Sequence, residues 1–342
     1  MSELRQNLAS RNWVIIAAER LKGKTFESPR NPELDTLNNY EKNCPFCPAN
    51  KERFPSIELD RVPAFDSDFD WKAICIENKY KIMGDVPGCP VTPREFEKEG
   101  IYNKFIGCGN HELVIESPIH NKTFAVMDHS EVVPVIELYV RRYIELGNNP
   151  NNLITIIFKN HGQASGASQQ HPHSQIIASR VVPNYVRNIV EEARRYFDNE
   201  GVCVHCKIIN HELKEKKRIV YENEHFVTIS PYAAPMPFQL DIYPKKHESD
   251  FRNLDNKLIE ALSDCIRVTM RKLYIKLGNP DFNIIFRNPP YQDTNVPYCH
   301  WFVQIAPHCI IPGGFELGSR MNVNIIPPEQ AAEELKNIKI NS

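Results

Sequence analysis

Nowhere does this 342-residue chain approach the roughly 18 consecutive apolar residues that a membrane-spanning helix needs. Its opening MSELRQNLASRNW also has no apolar stretch of the kind that starts a secretory leader. An excess of one charge is missing too. With 41 Lys and Arg against 43 Asp and Glu, the formal net charge is −2, so no global basic field draws the chain to nucleic acid or to an anionic membrane. A cytoplasmic protein with neither of those partners is expected, and any phosphate recognition has to be local. Cysteine, by contrast, is plentiful at ten residues. In a reducing compartment these are expected as free thiols that bind metal or pack as small apolar groups, not as a disulfide framework.

What is present is an internal duplication. Tyr143-Ile144-Glu145-Leu146-Gly147-Asn148 followed by Ile156-Ile157-Phe158-Lys159-Asn160 reappears as Tyr274-Ile275-Lys276-Leu277-Gly278-Asn279 followed by Ile284-Ile285-Phe286-Arg287-Asn288. Apolar residues at helical spacing precede each copy, Val132, Ile136, Tyr139 and Tyr143 in one and Leu258, Leu262, Ile266 and Leu273 in the other. Each unit therefore predicts a long helix, a left-handed stop at Gly147 or Gly278, and then a strand. The fold class expected is α+β, with two pseudo-repeated half-domains, each a largely antiparallel sheet with one long helix. Hairpin-like connections are expected in 79–110 and 288–298, a connecting helix from Asn184 to Asn199, and a short terminal helix from Glu329 to Lys336. The halves are assigned as 1–190 and 191–342.

Each half opens with a Cys-x-x-Cys, which places two thiolates on one short turn, and each carries two further histidines that complete a tetrahedral set. The candidate ligands are Cys44, Cys47, His120 and His171 in the first half and Cys203, Cys206, His247 and His300 in the second. The second histidine follows the first by 51 residues in one half (120 to 171) and by 53 in the other (247 to 300). Both sets are already four-coordinate, so two structural zinc ions are expected, although the second set could hold another metal. His111, His129, His161, His205, His211, His225 and His308 fit no repeated slot and are read as ordinary surface or hydrogen-bonded side chains. Cys75, Cys89, Cys108, Cys265, Cys299 and Cys309 are read as small apolar ones.

The chemistry points to the segment from Gly166 to Gln175. On a strand His171, His173 and Gln175 share a face while Pro172 and Ser174 turn away. Gly166, Ala167 and Ser168 form a small-residue loop whose amides and hydroxyl are available to phosphate oxygens. A neutral imidazole can attack an activated phosphoanhydride when donors stabilise the charge that moves onto oxygen. The matching strand in the second half, His300-Trp301-Phe302-Val303-Gln304, keeps the metal histidine and replaces the nucleophile with Phe302. Only the first half should be catalytic, through His173.

Together with Asn12 through Ile16, Arg20, Glu77-Asn78-Lys79-Tyr80, Glu116-Ser117-Pro118-Ile119-His120 and Ser230-Pro231-Tyr232-Ala233-Ala234, these motifs make nearly the whole chain resemble the galactose-1-phosphate uridylyltransferases of the histidine triad superfamily. The resemblance implies ping-pong transfer of a nucleoside monophosphate from a nucleotide sugar to a sugar 1-phosphate through a covalent nucleotidyl-histidine at His173. It implies substrate contacts from Arg20, Asn78, Asn160, Gly166, Ala167, Ser168 and Gln175, a sugar-recognition segment at Gly314-Phe315-Glu316, and a homodimer with sites near the subunit interface. The donor favoured by His-Pro-His is UDP-glucose. The alternative is an ADP-sugar phosphorylase or adenylyltransferase, to which Cys203-Val204-His205-Cys206 and the His300 strand are similar. More remote are a histidine triad hydrolase and a zinc-structured interaction module. The chain departs from the family in two places: Gly23 stands where a second arginine is usual, so that Lys22 or Lys24 would have to substitute, and His300-Trp301-Phe302 stands where the best-known members carry His-x-His.

Overall fold

The structure is a computed structural model and describes residues 1–22, 26, 28, 30–53, 57–65, 68–84, 89 and 97–340. Gly23, Lys24 and part of the expected hairpin region at 79–110 lie outside the described residues. In chain order the strands are β1 (Glu3–Gln6), β2 (Trp13–Ile16), β3 (Glu58–Pro63), β4 (Trp71–Glu77), β5 (Glu97–Glu99), β6 (Tyr102–Lys104), β7 (Gly109–Ile115), β8 (Ile154–His161), β9 (His173–Ser179), β10 (Ile219–Glu222), β11 (Phe226–Ile229), β12 (Leu240–Pro244), β13 (Phe282–Arg287), β14 (Phe302–Pro307) and β15 (Asn322–Asn324). The α-helices are α1 (His129–Gly147), α2 (Asn184–Glu200), α3 (Val204–Glu215), α4 (Asn256–Leu277), α5 (Gly314–Ser319) and α6 (Pro328–Lys336).

The long helices start and stop where local chemistry dictates. The Asp128 amide donates to Glu131 Oε2 at 2.8 Å at the start of α1, and Asp255 Oδ1 accepts from the Leu258 amide at 2.9 Å at the start of α4. Gly278, at φ +67°, ends α4 as expected. Gly147 does not end α1 that way, because Asn148 follows in right-handed geometry. Its lack of a side chain serves packing instead: a Cβ there would lie 2.8 Å from the Tyr291 ring.

Ten strands form one antiparallel sheet in the order β10-β11-β12-β14-β13-β8-β9-β7-β4-β3. The order is its own mirror image under the duplication. β8 and β13 pair at the centre, and each is followed outward by the strand that a metal-set histidine precedes by two residues, β9 after His171 and β14 after His300. Helices α1 and α4 pack against each other and, with one face of the sheet, enclose the main core of Val132, Ile136, Tyr143, Leu262, Ile266, Phe286 and their neighbours. The opposite face carries His173 and Gln175.

The duplication holds, but its register inside the central strands differs by one residue from the sequence reading. Phe158 lies opposite Gln175, and Ile285 lies opposite Gln304. Phe158 therefore corresponds to Ile285, and Asn160 to Arg287. A one-residue slip exchanges the two faces of a strand, and here it matters: Lys159 points into the core side, as Phe286 does, while Asn160 and Arg287 share the outer face. Repeated letters aligned the segments, whereas side-chain burial sets the pairing.

A second correction concerns cysteine. Cys89 and Cys108, expected as small apolar thiols, are joined in a disulfide with a Cα–Cα distance of 5.8 Å. Among the described residues no helix is long and apolar enough to cross a membrane.

Candidate active site and metal centres

Strand β9 begins at His173, with His171 two residues before it. The His173 Nδ1–H donates to the His171 carbonyl at 2.9 Å. That fixes the tautomer and leaves the Nε2 nitrogen with its lone pair. The ring is buried, packed 5.5 Å from the Phe46 ring of the first Cys-x-x-Cys turn. Burial is the main reason its pKa falls below the usual histidine range, and the nearby Lys159 cation adds to it. A neutral imidazole results.

Gln175 shares the outer face two residues on. His111, on the neighbouring strand β7, accepts at Nδ1 from the Ile82 amide at 3.2 Å and donates from Nε2 to Gln175 Oε1 at 2.8 Å. With its oxygen occupied, Gln175 keeps its amide N–H groups as donors. Asn78 closes the row, its amide nitrogen 3.0 Å from the same His111 Nε2. His111 was read from the sequence as an ordinary histidine. Its signal was the period-two series His111, Leu113, Ile115 on the strand that leads to His120, which aims it at the face of His173.

Asn160 lies on β8, its Oδ1 accepting from Asn283 Nδ2 at 2.7 Å. In the turn that follows, Gly162 is obligatory: φ is +81°, and a Cβ would fall 1.9 Å from Asp281 Oδ1. Gly166 also has positive φ, at +85°. The Gly166 and Ala167 amides, expected to be available for phosphate, instead close the turn onto the Gln163 and Gly162 carbonyls at 3.1 and 3.2 Å. Ser168 is left as the donor of that loop. Arg20 is exposed on a short 3-10 turn, Glu316 accepts from the Gly313 amide at 2.9 Å, and Phe315 is 54 % exposed. Among the described residues no hydrogen bond or ion pair ties Arg20, Gly314, Phe315 or Glu316 to the His173 strand.

Behind His173, on the core side of the sheet, Lys159 Nζ meets Glu116 Oε2 at 2.6 Å and the His173 carbonyl at 3.4 Å. Ser174 and Tyr139 hydroxyls bond the other Glu116 oxygen. Lys159 and Glu116 are 2 % and 1 % exposed. In the second half the corresponding positions hold Phe286, Val303 and Pro244, so the fold tolerates an apolar solution there. Removing one member of a buried pair strands the other charge. Lys159→Met should therefore lower unfolding stability by about 3–5 kcal/mol, read as a fall in the denaturant midpoint. The double variant Lys159→Met with Glu116→Leu should recover most of that loss, and failure to recover would mean that the pair contributes more than mutual neutralisation.

The two predicted metal sets both assemble. In each, the four ligand atoms lie within 4.8 Å of one another. Sulfur at about 2.3 Å and nitrogen at about 2.0–2.1 Å from a tetrahedral centre should be about 3.6 Å apart. Among the sulfur–nitrogen pairs, Cys44 Sγ lies 3.5 Å from His171 Nδ1, Cys47 Sγ 3.5 Å from His120 Nδ1 and 3.6 Å from His171 Nδ1, and Cys206 Sγ 3.3 Å from His247 Nδ1 and 3.6 Å from His300 Nδ1. The Nε2–H groups of His171, His247 and His300 donate to the carbonyls of Ser117, Val296 and Pro244, which directs each Nδ1 lone pair into the cluster. The donor sets fit a tetrahedral, thiolate-binding metal and leave no ligand position over for chemistry.

Known proteins align with this geometry along the whole chain. An ADP-glucose phosphorylase of Arabidopsis thaliana is 32% identical over 99% of this chain and 93% of its own length. A galactose-1-phosphate uridylyltransferase of Thermotoga maritima is 26% identical over 99% of both. The crystal structure of an Arabidopsis thaliana ADP-glucose phosphorylase with bound ADP-glucose superposes with a TM-score of 0.83 at 29% identity, covering 100% of each chain. Residues 1–183 match the family model for the galactose-1-phosphate uridyl transferase N-terminal domain and residues 189–305 that for the C-terminal domain. With both family models matched in order, the chain belongs to the galactose-1-phosphate uridyl transferase family.

Proposed function

We propose that the protein transfers a nucleoside monophosphate from a nucleotide sugar by way of His173. The observation that carries this reading is the His173 Nδ1–H bond to the His171 carbonyl, which presents Nε2 as a neutral nucleophile beside the Gln175 amide donors. Nε2 attacks the α-phosphorus, the bond from phosphorus to the bridging oxygen breaks, and the sugar 1-phosphate leaves with that electron pair. The positive charge left on the imidazole is held at Nδ1–H by the His171 carbonyl, while Gln175 and Ser168 donate to the non-bridging oxygens. An incoming phosphate oxygen then reverses the step and restores neutral His173.

Zinc, the identity favoured by paired thiolates, would in the first Cys₂His₂ set hold the turn and strand beside His173 and in the second set brace the other half, in neither case entering the reaction. In this reading Arg20 and the Gly314–Glu316 segment serve a site at the interface with a second copy of the chain. Sedimentation giving a monomer at working concentration would remove them from it.

The sequence favoured UDP-glucose as donor, through His-Pro-His. The relatives weigh toward ADP-glucose, because the phosphorylase shares 32% identity and the Thermotoga uridylyltransferase 26% over the same 99% of this chain. Uridylyl transfer stays as the second reading, supported by that full-length match. Intact-protein mass spectrometry after incubation with each nucleotide sugar separates them. Adenylyl mass on His173 from ADP-glucose is expected; uridylyl mass from UDP-glucose alone would restore the uridylyltransferase, and no adduct from either would end the covalent reading.

A further inference from the structure

A cavity of ≈ 720 Å³ lies on the outer face of the second half, walled by β12, β13 and β14, by helix α2 and by residues of the N-terminal segment. The size suits a small organic ligand, for which pockets run from about 300 to 1,000 Å³. The duplication relates its lining to the site just described. Phe302 stands where His173 stands, Gln304 where Gln175 stands, and, in the register set by the sheet, Arg287 where Asn160 stands.

The likeness extends to hydrogen-bonding state. Gln175 has its oxygen taken by His111, and Gln304 has its oxygen taken by Arg287, whose Nε and Nη2 lie 3.0 and 2.5 Å away. In both halves the glutamine amide N–H pair is thereby kept as a donor. Arg287 makes no direct ion pair among the described residues, and its guanidinium carbon sits 5.6 Å from the centre of the Tyr185 ring on α2. The same cavity holds the Asp241 carboxyl, whose pKa burial pushes up to about 7 against the pull of the Arg287 charge, so near neutral pH a share of it is protonated. One cation, a carboxyl that burial helps to keep neutral and an amide donor pair in a walled cavity suit a phosphate.

Two further side chains lack the partners that burial demands. Asn288, only 7 % exposed, has neither its Nδ2 nor its Oδ1 hydrogen-bonded, and the buried His205 Nδ1 is also unpartnered; both line the cavity. An amide with donor and acceptor both free, side by side, matches the paired donor and acceptor on the edge of a nucleobase. Tyr185 supplies an aromatic face for stacking.

We propose that this cavity is a second nucleotide site, which binds a nucleoside monophosphate unit through Arg287, Gln304 and Asn288 and, having Phe302 in place of a nucleophile, does not react with it. The assignment of phosphate to the glutamine position rests on the catalytic reading of the first half. Such a site makes the second half a ligand-sensing counterpart of the catalytic one, occupied by the same class of molecule that the reaction consumes or releases.

Asn288→Leu tests it, since an apolar residue of similar size removes the orphaned polar atoms and should leave thermal stability equal or higher. Isothermal titration of the full-length, zinc-loaded protein with AMP and with UMP as probes should give two equivalents per chain for one of them. In Asn288→Leu one equivalent should weaken about tenfold or more, with adduct formation on His173 unchanged. A single equivalent in the parent protein, unaffected by Asn288→Leu, would overturn the second site. Loss of one equivalent in Asn288→Leu, with no adduct on His173 in either protein, would uphold nucleotide binding here and remove the catalytic reading instead.

Discussion

His173→Ala protein should fold, carry both metals and lose transfer by on the order of 10⁴–10⁶-fold, the range seen when a covalent nucleophile is deleted from an otherwise intact site. No other side chain in the described site can take its place. His171 has Nε2 bound to the Ser117 carbonyl and Nδ1 turned to the thiolates, and His111 has both nitrogens occupied by Ile82 and Gln175. The metal should survive because His173 contributes no atom to either set. The fold loses one buried ring and its contact with Phe46, a deletion of ordinary size for a core position. The check is threefold: turnover, metal content by elemental analysis, and mass of the protein after incubation with nucleotide sugar. Lost turnover together with a lost metal equivalent would sink the separation between holding and reacting on which the reading depends.

Much of this site was legible in the sequence because it depends on spacing. Two thiols three residues apart, a histidine about fifty residues after another, and the loss of one histidine between otherwise matched strands are properties of a one-dimensional string. Both Cys₂His₂ sets, the two long helices, the linking helix α2 and the terminal helix α6 followed from such patterns. What escaped depends on which face a residue takes and what lies across the sheet. The one-residue register offset was invisible because Phe-Lys-Asn and Phe-Arg-Asn look alike as letters, whereas the fold pairs Phe158 with Gln175 and Ile285 with Gln304. His111 escaped because its importance comes from β7 lying beside β9. Gly147 looked like a helix stop, and only the Tyr291 ring, 144 residues later in the chain, explains why it must be glycine. The Lys159–Glu116 pair was hidden for the same reason, since a charged residue on a strand reads as solvent-facing until the opposite charge is found behind it.

Losing the two metals should have unequal consequences, although their ligand sets are alike. In the first half, Cys44, Phe46 and Cys47 pack with Trp71, Ile74, Ile76, Leu113 and Ile115 in a separate small core on the face that carries His173. A metal bound there would fix His171, whose carbonyl in turn holds the His173 Nδ1–H. Cys47→Ser should therefore remove one metal equivalent, loosen this small core and stop adduct formation on His173. Structural zinc is worth about 10–16 kcal/mol to isolated finger peptides, so even a fraction of that is large beside the net stability of a domain, about 5–15 kcal/mol. In the second half the corresponding carbonyl, that of His300, precedes Phe302, which has no proton to hold. Cys203→Ser should remove the other equivalent and lower the melting temperature of the second half, while chains still folded continue to form the adduct. Elemental analysis, melting curves and adduct mass on the two variants read these outcomes separately. If Cys203→Ser abolished the adduct with fold and remaining metal unchanged, the second metal would belong to the chemistry and its purely structural role would be wrong.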